Sequence, residues 1–310
     1  EAIEGGTDYV AMISSPGCCR LGEYGNCIKN ALTDLGYDAK YIELTLYDGI
    51  KGMYNFLKEV SGKNDPLLFA RAIIIAIRKV FVLDDLENVL SYYRAREINF
   101  GDAEKHYNKA IQFIKDADTN RKLNRAKKQA FEEMKKTEIN TDKEVLHVDL
   151  TGEIYLVCDQ FSNQNITREL GKMGVQTRRT LTISSFLKDA IIPKMFVKGE
   201  THLERAFRLA KPYLSRDIGG DSLECVSDII YANEKGKDGI IHISPFTCMP
   251  EIMSQNFFPA MRENCEIPIL PLIMDEQTGK AGYITRLEAF VDLMRRRKRK
   301  KEQELAASAK

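Results

Sequence analysis

Gly239-Ile240-Ile241-His242-Ile243-Ser244-Pro245-Phe246-Thr247-Cys248-Met249-Pro250-Glu251 is an apolar run of strand length, a Ser-Pro break, and then a helix start. Pro250 suits that start, because a residue in the first helical turn has no intrahelical use for an N–H. The order is therefore strand, turn, helix. Working outward, further strands are predicted at residues 145–150, 175–182 and 267–274, with helices near 164–173, 203–213, 223–233 and 250–262. Strands separated by helices pair in parallel through right-handed crossovers, and such sheets bind ligands at the carboxyl ends of their strands.

The same device occurs near the start of the chain. Residues 8–13 form an apolar strand candidate that ends at Ser14-Ser15-Pro16-Gly17, and Leu21, Tyr24, Ile28, Leu32 and Leu35 then recur at helical spacing. A second strand candidate at 37–44 follows Gly36 and completes a βαβ unit. Residues 51–136 change character to three or four helices, with Ala103, Tyr107, Ala110 and Ile114 on one face. Residues 137–143 are polar and interrupt the periodicity, placing a boundary near 142. The expected fold class is α/β: two Rossmann-like parallel-sheet domains with a helical insertion between them. Residues 1–142 hold the first unit and the helices, and 143–310 hold the second domain with a basic C-terminal helix.

Composition excludes several classes. A length of 310 residues suits two domains, and 44% hydrophobic with 29% charged residues is ordinary for a globular chain. Net charge is +1, but Arg295 to Lys301 is an unbroken run of seven cations, which leaves the rest at −6. The run extends a helix expected to begin near Thr285. It reads as a solvated helix end where the dipole welcomes cations, with RNA or an acidic partner as the alternative. Lysines between 105 and 136 alternate with acids as on a solvated helical face, so nucleic acid is not the expected partner. The apolar stretch 67–82 is broken by Arg71, Arg78 and Lys79 and falls short of the roughly 20 residues of a membrane span, so no membrane partner is expected. The chain opens at Glu1 without a leader, which reads as an internal start, and seven scattered cysteines fit a reducing, cytoplasmic setting.

Two cysteine positions stand where a sheet of this kind places chemistry. Cys18 and Cys19 follow the first strand in the expected first turn of a helix, and Cys248 stands at the strand-to-helix turn of the second domain. Free N–H groups and the positive dipole end favour thiolate there. Two thiolates raised from two strand ends toward one cleft suit an iron–sulfur cluster. On spacing alone the plainer reading is helix-capping or packing thiols, and the adjacent pair also admits a strained redox disulfide. Cys27, Cys158, Cys225 and Cys265 read as structural, with no partner at metal-ligand spacing, and His242 reads as a satisfied core histidine. No zinc-protease, P-loop or well-placed dinucleotide motif is present. Residues 217–221 read as a turn. Asp275 to Gly282 precedes a helix expected to open with a Thr285-x-x-Glu288 capping box, and reads as a polar capped loop or as a cradle for an anion such as phosphate or CoA.

These residues carry a resemblance. Gly17-Cys18-Cys19-Arg20-Leu21-Gly22-Glu23-Tyr24-Gly25 is similar to GPCRFGxYG of the acyl-CoA dehydratase activase-related proteins, relatives of 2-hydroxyacyl-CoA dehydratase subunits and double-cubane cluster proteins. Thr151-Gly152-Glu153-Ile154-Tyr155 with Phe161-Ser162-Asn163, Pro245 to Glu251, and Asp275 to Gly282 running into Thr285 to Phe290 also resemble that family. The resemblance implies an iron–sulfur cluster, 4Fe-4S or double-cubane, on Cys19 and Cys248. Cys18 stands where the family has Pro and is a substitute ligand or a bystander, and a third cysteine is expected upstream of Glu1. Cys158 and Cys225 fall where the family keeps no cysteine. The implied partner is an ATPase activase protein or domain, and the absence of a nucleotide motif makes this chain the electron acceptor, an ATP-dependent reductase component of anaerobic metabolism. The alternatives are a dehydratase-like lyase that binds an acyl-CoA or other small substrate at an open cluster iron, and a cofactor-free scaffold; a homodimer fits each.

Overall fold

The structure is a computed structural model, and it describes residues 3–7, 9–14, 19–37, 40–45, 49–190, 192 and 194–308. Its architecture is α/β with two parallel sheets. β1 (Tyr9–Ser14), α1 (Leu21–Asp34) and β2 (Lys40–Thr45) form the expected βαβ unit, with β1 and β2 parallel from Tyr9 opposite Lys40 to Ser14 opposite Thr45. Gly25 packs closely under the ring of Tyr41, where a side chain on α1 would collide.

Four helices follow: α2 (Gly49–Ser61), α3 (Pro66–Arg96), α4 (Asp102–Lys115) and α5 (Asn120–Met134). The Asp65 carboxylate accepts from the N–H groups of Leu67 and Leu68 and caps α3, which opens on Pro66. The expected stripe Ala103, Tyr107, Ala110 and Ile114 is buried against Leu86, Leu90 and Leu123. The lysines of α5 lie largely on its outer side, as the sign alternation predicts. α3 also leans on the second sheet: the Ser91 hydroxyl donates to the Thr177 carbonyl at 2.7 Å and accepts from the Thr177 N–H at 2.8 Å.

The second sheet contains β3 (Leu146–Gly152), β4 (Val175–Arg179), β5 (Gly239–Pro245) and β6 (Ile269–Met274), all parallel, in the order β4-β3-β5-β6. Between β3 and β4 lie α6 (Ile154–Cys158) and α7 (Ile166–Lys172). Between β4 and β5 come α8 (Ile183–Ala190), a 3-10 turn (Lys194–Phe196), α9 (His202–Ala210) and α10 (Ser222–Glu234). The helix expected at 250–262 is two, α11 (Met249–Asn256) and α12 (Phe258–Asn264), with Pro259 in the first turn of the second. α6, only five residues long, is too short to show a helical period, and α8 is a further helix that the sequence reading lacks.

The pleat sorts the side chains onto two faces. Leu146, Val148, Leu150, Ile241 and Ile243 join α7 and the last helix, α13 (Lys280–Ser308), in one apolar cluster. Ile240 and Ile269 join α9, α10 and α12 in another. Burying each such aliphatic side chain contributes roughly 1.5–3 kcal/mol, so the two clusters hold helices on both faces of the sheet. α13 begins at Lys280 rather than at Thr285, whose hydroxyl donates to the Ala281 carbonyl within the helix instead of capping it. The basic run is therefore mid-helix, not at the C-terminal end. Several of its cations are tied down: Arg295 donates to the Met173 carbonyl, Arg297 and Lys301 reach Glu266, and Lys298 reaches Glu144. No helix among the described residues is long and apolar enough to cross a membrane.

Asp228 of α10 fastens two helices to the sheet. Fully buried, it accepts from Thr151 of β3 at 2.9 Å, His202 at 2.8 Å and Arg205 at 3.1 Å. Burial works against both charges, yet their attraction wins: Asp228 is held below the usual carboxylate range and His202 is raised above the usual imidazole value. A depressed carboxyl stabilises the fold above its unfolded value, near 4, and loses that contribution as pH falls through its lower folded value. A raised imidazole stabilises below its unfolded value, near 6.5, and loses it as pH rises through the higher folded one. The pair is therefore fully stabilising between about pH 4 and 6.5. Melting temperature measured against pH should fall above that window in the wild type, and His202→Gln should flatten the alkaline limb; parallel curves would show that the pair is not coupled.

Candidate functional site

Strand order reverses direction between β3 and β5, and a sheet of this type opens a crevice beyond the carboxyl ends of strands at such a switch point. Gly152 closes β3 with φ +132°, and a Cβ there would lie 1.9 Å from the Ile243 carbonyl oxygen. Only glycine allows β3 and β5 to meet so closely, and the Glu153 N–H then donates to that same carbonyl at 3.0 Å. Glu153 accepts from the N–H groups of Tyr155 and Leu156, capping α6. Asp221, ahead of α10, accepts from the Ile154 N–H at 3.0 Å. The turn before it is glycine for a reason: a Cβ on Gly220 would lie 2.5 Å from Pro250 Cγ.

Cys248 is the N-cap of α11, after Thr247 at φ +62°, and is partly exposed. It stands at the predicted turn, with Pro250 the second helical residue. The expectation that the helix end would favour thiolate is not met. Loss of water pushes the Cys248 thiol up to about 12, the Glu251 N–H works against this, and the charges of Glu251, Glu153 and Cys19 add to the rise. Cys19 precedes Arg20, the N-cap of α1, and so lies just ahead of the helix rather than in its first turn. Of the charges that add to the rise at Cys248, that of Cys19 is the smallest. Cys18 lies outside the described residues.

Under Cys248 lies a group that sequence spacing did not find. Cys225 of α10, His242 of β5 and Glu251 of α11 are all buried, and each offers one ligand atom within 4.8 Å of the others. His242 Nε2 and Glu251 Oε2 are 2.5 Å apart, and the Cys225 thiol donates to that oxygen at 3.3 Å. His242 Nδ1 and Glu251 Oε1 have no hydrogen-bond partner among the described residues. These three residues could hold a metal ion, since thiolate, imidazole and carboxylate are the donor types of zinc and ferrous sites. The reading of Cys225 as a cysteine without ligand partners is thereby corrected: 26 residues separate it from Glu251 in sequence, and the fold brings them together. Half of the signal was legible, since the pleat puts His242 on the face opposite Ile241 and Ile243, toward α10.

The surroundings are acidic. Burial raises Asp221 well above the carboxylate range, with Glu251 and Glu224 adding to it, and brings Glu224 to about 7. Cys225, wholly buried beside Glu251, is raised well above an ordinary thiol. Cys158 ends α6 instead of lying in a polar loop, and burial lifts it to about 12. Cys27 is exposed and Cys265 is buried in the helical face of the sheet. The loop from Asp275 closes on itself, with the Asp275 carboxylate accepting from the Gln277 N–H and the Thr278 hydroxyl.

No protein-family model matches this chain, and no curated protein matches it. In the metal-free, reduced protein the raised Cys248 thiol should alkylate with iodoacetamide slowly at pH 8, with a rate still climbing at about pH 10. Peptide mass spectrometry across a pH series checks this, and a rate already at its plateau by pH 8 would contradict the acidic, desolvated setting.

Proposed function

We propose that this chain is an iron–sulfur protein related to 2-hydroxyacyl-CoA dehydratase activation, with a cluster of the 4Fe-4S or double-cubane type on Cys19 and Cys248. It accepts low-potential electrons from an ATPase activase and passes them to a difficult reduction. In this reading the two parallel sheets are the cores of two Rossmann-like domains, 1–142 and 143–310, and the cluster lies where their strand ends face one another. One observation carries it: two cysteines 229 positions apart each stand at the start of a helix that follows a strand, in two different parallel sheets.

The residues present fit such a group in part. The thiols supply two soft donors, while Cys18 and any upstream cysteine lie outside the described residues. A bound cluster would supply one-electron chemistry at low potential. The chain's own groups set the scene for it. Gly152 lets the β3 end close over β5, Pro250 packs on Gly220, and the buried His242–Glu251 pair ties the start of α11 to β5 and fixes the Cys248 backbone. Desolvation holds the free thiol protonated, so this cysteine is a poor nucleophile and becomes a thiolate only beside a strong cation.

A second reading rests on the Cys225–His242–Glu251 group. Two anions and one imidazole around a divalent cation would be neutral, which suits a fully buried site. Iron and acid-labile sulfide assays on anaerobically purified protein separate the two. The cluster reading expects iron and sulfide in the wild type and loss of both in Cys19→Ser and Cys248→Ser. A metal without sulfide, lost in Cys225→Ser and retained in Cys248→Ser, replaces it with the second reading.

A further inference from the structure

A cavity of about 480 Å³ opens beyond the carboxyl end of β4, between α3, α8, the 3-10 turn and the start of α9. Its lining is strongly basic: Arg178, Arg179, Lys188, Lys198, His202 and Arg205 face it, against the single carboxylate Glu200. That carboxylate is engaged by Arg208 in a two-pronged pair at 2.7 and 2.9 Å. The lining therefore lacks a free negative charge to answer its cations.

The guanidinium groups are held in place from behind. Arg178 forms a two-pronged pair with Asp149, and Arg205 bonds Asp228; both acids are 0% exposed. Arg205 is also stacked over Tyr231 at 4.2 Å, and Arg179 is paired with Glu87. Anchoring of this kind orients a planar donor fork before a ligand arrives, which lowers the ordering cost of binding. Asp228 serves two cations, His202 and Arg205, and so leaves positive charge in excess. Lys188 and Lys198 have no carboxylate partner among the described residues; Lys188 lies over the Phe81 ring at 5.1 Å. Phe81 lines the same cavity beside Phe196, which is 73% exposed, so an apolar ring surface adjoins the cations.

Each feature narrows the ligand. The volume falls within the range of about 300–1,000 Å³ typical of small-molecule sites, which favours an enclosed small molecule over a polymer. Oriented guanidinium forks match phosphate oxygens, and unpaired lysines add point charges suited to a second phosphate. The two rings suit an aromatic or acyl portion. We propose that this cavity binds a phosphorylated small molecule of nucleotide size, a mono- or diphosphate ester with an apolar group attached. Neither Cys19 nor Cys248 lines this cavity, and the proposal does not depend on the redox reading.

Isothermal titration of the full chain with ADP, inorganic pyrophosphate and adenosine tests this. ADP and pyrophosphate should bind, and adenosine should bind at least about tenfold more weakly than ADP. Lys188→Glu/Lys198→Glu should weaken ADP at least about tenfold with an unchanged melting temperature, and the corresponding double Arg variant should restore it. Lys188→Gln/Lys198→Gln should give a smaller loss in the same direction, which covers the case where charge reversal disturbs folding. Neither phosphate ligand binding at about 1 mM, adenosine binding as tightly as ADP, or lysine variants binding like wild type would each overturn the site. Cys19→Ser/Cys248→Ser should bind ADP as the wild type does, which keeps this result distinct from that of the cluster assay.

Discussion

The second sheet buries Asp149, Thr151, His242 and Ser244 on one face, and much of the molecule around it is arranged to satisfy them. Asp149, Thr151 and His242 are each 0% exposed. The pleat that sends Val148, Leu150, Ile241 and Ile243 into the apolar cluster on one side of the sheet sends these three to the other. An unpartnered buried polar group costs about 1–3 kcal/mol, and a buried charge without a partner costs more. Each of the three therefore recruits partners: Arg178 for Asp149, Asp228 for Thr151, and Glu251 for His242. Those partners lie on β4, α10 and α11, so the polar face fixes where the neighbouring elements sit.

This polar seam has two ends of opposite character. Toward α11 it runs through Thr151, Cys225, Glu251 and His242, and the acids Glu153, Asp221 and Glu224 lie around it. Toward β4 and α9 it runs through Asp228 and Asp149 to Arg205, His202 and Arg178, and ends in a basic cavity. The separation follows from which side of each buried acid faces out. Asp149 and Asp228 turn their oxygens to cations that line the cavity, whereas Glu251 turns one oxygen to His242 and Cys225 and leaves the other unpaired. One end is therefore surrounded by acids and the other lined by cations.

Much of this was legible in the chain. Among the described residues the six strands fall within a few residues of expectation, and β3, β5 and β6 read as largely apolar runs bounded by turn residues. The helical stripe from Ala103 to Ile114 was equally clear. What sequence did not reveal has physical causes. α6, at five residues, is too short for a 3.6-residue period to register, and the start of α8 directly follows residues 175–182 that read as one strand. The start of α13 was misplaced because a Thr-x-x-Glu pattern also occurs inside helices, where a threonine hydroxyl can bond the carbonyl four residues back. Cys225 could not be paired with Glu251 from spacing, because the pairing depends on how α10 and α11 pack, and no local pattern encodes that.

The two cysteines named from their place after strands show how a general rule yields to its surroundings. A helix N-terminus stabilises an anion by about 0.3–1 kcal/mol when exposed, and up to about 2 when partly buried. At Cys248 that pull competes with lost water and with the charges of Glu251 and Glu153, and the thiol is raised instead of lowered. Glu251 is also the third residue of the same helix, so the dipole that would favour thiolate at the cap is already answered by an acid in the first turn. A cysteine in this position is poorly suited to attack a substrate. Lost water and the nearby carboxylates therefore outweigh the helix end, and the free thiol stays protonated.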